Sequence, residues 1–293
     1  MHKMLPKAFT VFAWLVSLGV LAIVAGVAGF LVARGGSTLG PKLLFGDAPA
    51  LDVVLGRQPA FDGLWPAVAG TLALVAGASL IAIPLGVASG IHLAEYGQGR
   101  ASRAYSFAVD VLAGVPSIIM GLFGFGLILF LRRTLLPDAK TCLLLAMGCL
   151  ALLVLPYLVR TTETALRSLP ESVRLAGPSL GLSRWQSIWH IRLPAASRGI
   201  LSGVILAVGR AAEDTAVILL TGVVATAGLP ARLTDKFQAL PFTIYYLAAE
   251  HRNPAELDLA FGAALLLLGL TATLFLLASW LHRNLERRLG TRT

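Results

Sequence analysis

Arg210, Glu213 and Asp214 stand inside an otherwise apolar stretch, residues 199–225, spaced three and four positions apart. On a helix that spacing puts both acids on the face that carries the arginine. A charge in the middle of a membrane is costly unless it is paired or faces a polar cavity, so the trio is a candidate for handling an ion or a proton. The alternative is an ion pair within one helix that orders a bundle and touches no solute. A further acid, Asp110, lies in the apolar stretch 104–131, six residues before Pro116. It reads either as a partner for Arg210 or as a solvated group near the end of its helix. Beyond it runs GVPSIIMGLFG, residues 114–124, in which Pro116 and three glycines offer a bend lined by backbone carbonyls and the Ser117 hydroxyl. A glycine-rich packing face is the competing reading.

Residues 168–198, SLPESVRLAGPSLGLSRWQSIWHIRLPAASR, suggest docking rather than transfer. This polar interruption carries or adjoins Arg160, Arg167, Arg174, Arg184, Arg192 and Arg198. Ser168 with Glu171, and Ser183 with Gln186, have the spacing of capping boxes, in which a serine accepts from the backbone and the acid or amide reaches back. Two short helices meeting near Gly181 are therefore expected, with Trp185 and a surface His190 on the second. Pro178 should disturb the first.

The elements that must hold these residues follow from composition. With 57% hydrophobic residues, 13% charged residues and a mean hydropathy of +0.80, the chain is too apolar for a soluble domain. Six blocks, residues 9–33, 66–94, 104–131, 142–159, 199–225 and 259–281, approach the about 20 apolar residues that cross a hydrocarbon core. Their length and lack of alternation exclude a β-barrel. The expected fold is all-α, a polytopic bundle of six transmembrane helices with a loop of two short helices. Pro84, Pro116 and Pro156 should kink the second, third and fourth spans. Gly86 with Gly90, and Gly199 with Gly203, should admit close helix approach.

Lys and Arg then orient the bundle. Lys3 and Lys7, Arg100 and Arg103, the Arg-rich loop, and Arg283, Arg287, Arg288 and Arg292 supply fourteen positive charges on one side against nine in the alternate segments. The positive-inside rule places both termini and the Arg-rich loop in the cytoplasm, with Arg132, Arg133 and Lys140 running against it. The net charge of +9 follows from this asymmetry and gives no reason to invoke nucleic acid. The first span is too long for a signal peptide and is read as retained. Cys142 and Cys149 lie about 10 Å apart along one helix, too far for a disulfide. The expected organisation is an N-terminal helix and outer loop over 1–65, a transmembrane domain over 66–285 and a cytoplasmic tail over 286–293. LPFTIYY, in the outer loop 226–257, reads as a short helix along the membrane face.

The helix–turn–helix with Gly181, Ile191, Leu193 and Pro194 resembles the cytoplasmic coupling loop of importer permeases of the ATP-binding cassette superfamily, whose pattern spaces Gly, Ile and Leu-Pro in this way. GVPSIIMGLFG is similar to the GTPSI…GLFG signature of the phosphate-importer permeases of the PstA and PstC type, with Val115 in place of threonine. Residues 210–216, from Arg210 through Glu213, Asp214 and Thr215, resemble that family's Arg-Ala-Ala-Gly-Glu-Thr-Ala, and residues 240–248 resemble the loop before its last helix. The likeness runs from about residue 66 to the C-terminus. It departs at Leu175-Ala176-Gly177, where the family has Glu-Ala-Ala, and at Glu213-Asp214, where the family has Gly-Glu.

The resemblance implies a permease subunit in a bacterial-type inner membrane. It implies as partners the lipid bilayer, a second homologous permease, two cytoplasmic ATPase subunits that consume the ATP, and an extracytoplasmic substrate-binding protein. The implied substrate path is Arg210, Asp214, Glu213, Asp110, Ser117, Pro116 and Thr215. The implied ATPase contact is Ser168, Glu171, Gly181, Ser183, Trp185, Ile191, Leu193 and Pro194. The chain has no G-x-x-x-x-G-K-[ST] loop and its histidines are scattered, so it is read as a transport subunit that binds no cofactor. With all three groups ionised, the 210–214 trio carries a net negative charge, which keeps a different oxyanion or a small polar solute in view. The rival from another class is an intramembrane enzyme or proton conductor using Glu213, Asp214 and Asp110.

Overall fold

The structure, a computed structural model, describes residues 4–58 and 63–290. Lys3 and residues 291–293 of the expected tail lie outside the described residues. The elements are α1 (Met4–Gly35), a 3-10 turn (Gly36–Thr38), α2 (Pro41–Phe45), α3 (Ala50–Val54), α4 (Trp65–Tyr96), α5 (Arg100–Ala113), α6 (Ser117–Thr134), α7 (Leu143–Arg167), α8 (Glu171–Ser179), α9 (Arg184–Ser187), a π turn (Ile188–Arg192), α10 (Leu193–Glu213), α11 (Ala216–Thr221), α12 (Leu240–Glu250) and α13 (Pro254–Gly290). Among the described residues there is no strand, only an isolated bridge between Val223 and Phe237. Among the described residues six helices are long and apolar enough to cross a membrane, and LPFTIYY opens the short helix α12.

α7 is the axis of the bundle: 61% of its most apolar window is buried, against none of the corresponding window of α1. In a bilayer, lipid tails are as apolar as leucine, so helices are held by van der Waals contact and small residues rather than by hydrophobic burial. The glycine pairs serve that purpose. A Cβ on Gly86 would stand 2.4 Å from the Leu158 Cβ, and one on Gly90 would stand 2.5 Å from the Thr162 Cβ, so α4 presses its backbone against α7. Gly199 and Gly203 do the same for α10, against Ala165 and Thr161. The start of α7 is satisfied by the end of α11 and the loop before α12: the amides of Cys142, Leu143 and Leu144 donate to the carbonyls of Thr221, Asp235 and Leu233. These are groups that a helix leaves unpaired by itself. α1 lies against α13 at the edge, with Phe30 and Phe261 edge to face at 5.4 Å.

Two expected spans are interrupted. The third breaks at 114–116, and Ser117–Thr134 alone carries it. Pro116 has no amide to continue a helix and biases Val115 toward extended backbone, so α5 ends at Gly114 and Pro116 becomes the N-cap of α6. It is a break, unlike Pro84 and Pro156, which stay inside α4 and α7 as expected. The fifth span breaks at Asp214, whose ψ of 116° is extended, and it begins earlier than expected because α9, the π turn and α10 form one run, Arg184–Glu213.

The coupling loop departs from expectation in two places. Ser168 is no N-cap: it closes α7, and its hydroxyl donates to the Ala165 carbonyl, while Pro170 opens α8 ahead of Glu171. Proline's fixed φ suits a helix start, so it takes the place the serine was expected to hold. Pro178 does not disturb α8, because it sits in the last turn. The Arg174 carbonyl, which Pro178 cannot serve, accepts instead from the Arg192 guanidinium at 3.1 Å.

Candidate functional site

The two broken spans lie side by side. A Cβ on Gly121 would stand 2.9 Å from the Ala216 carbonyl oxygen, and one on Gly124 would stand 2.9 Å from the Thr221 methyl, so α6 and α11 meet backbone to backbone just past their breaks. Pro116 and Ser117 open α6, and Asp214 and Thr215 precede α11. Asp214 is buried, and its Oδ1 accepts from the Val217 amide at 2.9 Å. A carboxylate here serves the first turn of a helix, which favours negative charge.

Arg210 and Glu213 are exposed at the end of α10, and among the described residues neither forms an ion pair or hydrogen bond. The expected arginine–acid pairing on one helix face is therefore absent. For Asp214 the cause is the break itself: the extended backbone there takes its carboxylate off the α10 face and commits it to α11. Two charges within a membrane span, uncovered by their own chain, belong on a surface facing a polar passage or a partner.

Asp110 does not pair with Arg210 either. Its Oδ1 accepts from Arg160 at 2.5 Å and 2.9 Å, and the same guanidinium reaches Glu163 at 2.6 Å and the Ser106 hydroxyl at 2.8 Å. Glu163 in turn meets Arg167 at 2.8 Å. This relay ties α5 to α7. Sequence reasoning placed Arg160 on a loop, whereas it lies well inside α7. The i, i+3, i+7 run of Arg160, Glu163 and Arg167 was the signal that could have found it.

At the coupling loop, Ser183 forms the expected box: its hydroxyl accepts from the Gln186 amide and the Gln186 side chain accepts from the Ser183 amide. Gly181 has φ +71°, the left-handed conformation that glycine adopts without a steric cost. The π turn places the Leu193 amide on the Ile188 carbonyl. It spares Pro194, which follows, from an α-type bond it could not make. Ile191 and Leu193 are half-buried, Pro194 and His190 exposed. Trp185 is 60% exposed and stacks edge-on with Trp189 at 5.6 Å. The residue missed from sequence is Glu95, buried at the end of α4, whose carboxylate meets Arg192 and whose carbonyl accepts from Arg184. Arg184 also lies over the Tyr96 ring at 4.4 Å.

A helical bundle with paired span breaks and an Arg-rich helical loop agrees with what similarity shows. Residues 82–291 match the family described as binding-protein-dependent transport system inner membrane component, and the chain belongs to it. The family comprises membrane components of transport systems, not enzymes. Among individual relatives, the chain is 37% identical over 77% of its length to the phosphate transport system permease protein PstA 1 of Mycobacterium tuberculosis (strain ATCC 25618 / H37Rv), covering 71% of that protein. It is 38% identical over 69% of its length to the phosphate transport system permease protein PstA of Haemophilus influenzae, again covering 71%. A chain of the inward-facing MetNI methionine ABC transporter superposes with a TM-score of 0.59 at 18% identity, covering 76% of this chain and 97% of that one, which establishes the shared fold.

Proposed function

We propose that the chain is the permease subunit of an ABC importer that moves inorganic phosphate into the cytoplasm. The observation that carries this reading is the 37% identity over 77% of the chain to a phosphate transport system permease. It is supported by the span breaks and the uncovered Arg210, a guanidinium whose planar fork suits an oxyanion. In this reading the chain pairs with a second homologous permease and two cytoplasmic ATPase subunits, and a binding protein delivers the anion from outside. Both termini and the 171–192 loop face the cytoplasm. The exposed Leu175, Leu180, Trp185 and Trp189 of that loop form the apolar face that the ATPase covers. Nucleotide-driven closure of the ATPases moves this loop, and the passage beside Arg210, Thr215 and Ser117 opens to alternate sides.

The test is the purified complex in vesicles with its binding protein. Phosphate-loaded binding protein is expected to stimulate ATP hydrolysis, and sulfate or another oxyanion is not. Stimulation by a different anion alone would move the substrate while keeping the class. Failure of any ATPase to co-purify would favour the proton-conducting rival.

A further inference from the structure

Between the coupling loop and the end of α4 lie two adjoining cavities of about 440 Å³ and about 300 Å³, which share Ala94, Glu95, Gln98 and Arg174 among their lining residues. Arg184, Arg192 and Ser187 also line the first, and Arg167 the second. Glu95 is the one carboxylate among those lining residues, against four arginines, and Arg192 already pairs with it. Arg167 is paired with Glu163 of α7, so the cationic surplus rests on Arg174 and on Arg184, which among the described residues meets only the Glu95 carbonyl and the Tyr96 ring. The guanidinium of Arg174 makes no hydrogen bond or ion pair among the described residues.

Two lining atoms are also unpartnered although buried. The Ser187 hydroxyl, on a residue only 1% exposed, has no hydrogen-bond partner, and neither does Nε of Arg192. A buried polar atom without a partner is destabilising, so such atoms point to something the isolated chain does not supply. The available groups are a hydroxyl, an Nε–H, a free guanidinium and the Gln98 amide. They approach one space from the link after α4, from α8 and from the α9–π run, and they offer donors. A group with several acceptor oxygens and negative charge satisfies all of them, and the planar Arg forks match phosphoryl oxygens in pairs.

We propose that these cavities form a binding site for a phosphoryl-type oxyanion at the coupling-loop end of the bundle, distinct from the Arg210 region. Free inorganic phosphate and the headgroup of an anionic lipid share the required chemistry. Bound there, the anion bridges both coupling helices to the end of α4 and holds the loop against the bundle. Within the proposed function, this makes it a brake on coupling set from the side where phosphate would accumulate.

The full chain in phosphatidylcholine nanodiscs, titrated by calorimetry with inorganic phosphate against chloride at matched ionic strength, tests the free-anion source. Nanodiscs containing phosphatidylglycerol and no free oxyanion, compared by thermal unfolding with phosphatidylcholine discs, test the lipid source. Saturable binding or a midpoint rise is expected in at least one arm. It should weaken about tenfold in Ser187→Ala and disappear in Arg174→Gln, but persist in Arg210→Gln. Ser187→Ala removes an unpartnered hydroxyl, so without anion it should leave the unfolding midpoint unchanged or higher. No response in either arm overturns the proposal, as does wild-type affinity in Ser187→Ala. Loss of binding in Arg210→Gln alone would place the anion in the passage instead. No ATPase or transport reading enters these measurements, so their failure leaves the proposed function standing.

Discussion

Replacing Glu95 with alanine tests whether the coupling loop is held by the end of α4. The Glu95 carboxylate is 5% exposed and the Arg192 side chain 12% exposed. Removing one partner of such a pair leaves a buried charge uncompensated, at about 3–5 kcal/mol. The contact is local, so the cost should appear as local opening of the loop rather than as global unfolding. At about 1.4 kcal/mol per tenfold, amides protected by the docked loop should exchange roughly a hundredfold to a few thousandfold faster. Ile188, fully buried at the start of the π turn, is a suitable reporter. Hydrogen exchange on the full complex in nanodiscs reads this directly, with α7 amides as an internal control. The double variant Glu95→Leu/Arg192→Met removes both charges and should recover most of the protection, because an apolar pair of similar volume often replaces a buried ion pair without loss. Unchanged exchange in Glu95→Ala, or equal loss in the double variant, would refute the argument.

Gly181→Ile forces a β-branched residue to φ +71°, at about 1–2 kcal/mol, and should uncouple ATP hydrolysis from uptake at normal membrane abundance. Wild-type coupling in that variant would count against a tight turn between the coupling helices. Arg210→Gln should lower uptake by about tenfold or more with assembly intact, and Arg210→Lys should recover only part of it. Full uptake by Arg210→Gln would show that the passage needs no cation at this position. Gly203→Leu drives a side chain into Thr161, whose Oγ1 lies 2.0 Å from the added Cβ, and should cut membrane abundance through about 1–3 kcal/mol or more of overpacking. Wild-type abundance on immunoblots would show that α10 and α7 separate freely. A cysteine at position 183, with Cys142 and Cys149 replaced, should resist an impermeant thiol reagent added outside intact cells, and labelling from outside would reverse the proposed topology.

The bundle was legible because a bilayer demands long apolar blocks, and each of the six blocks holds all or part of one candidate span. What the sequence left ambiguous were the interruptions. A proline in an apolar run reads equally as a kink or an end: Pro84 and Pro156 stay within helices, whereas Pro116 opens one. The break at Asp214 has no proline to mark it and follows from a side chain turning back to cap the next helix. Charge spacing suggested an Arg210 pair that the break prevents, and it missed the Asp110–Arg160 bond because the partners are 50 residues apart. Glu95 gave no sign at all. At the end of an apolar block it looks like an ordinary surface acid until Arg192, 97 residues later, folds over it.

The continuous run Arg184–Glu213 has a mechanical meaning. Its 30 residues span about 45 Å at the α-helical rise, with Trp185 and Trp189 at one end and Arg210 near the other. The π turn at 188–192 and Pro194, which has no amide to donate, both lie at the loop end of the run, and beyond them α10 continues as one helix to Glu213. The segment is a lever arm. A tilt of about 5° at the loop displaces the far end by roughly 4 Å, about the length of a guanidinium contact. The first free joint along this arm is the extended backbone at Asp214, immediately beyond the arginine.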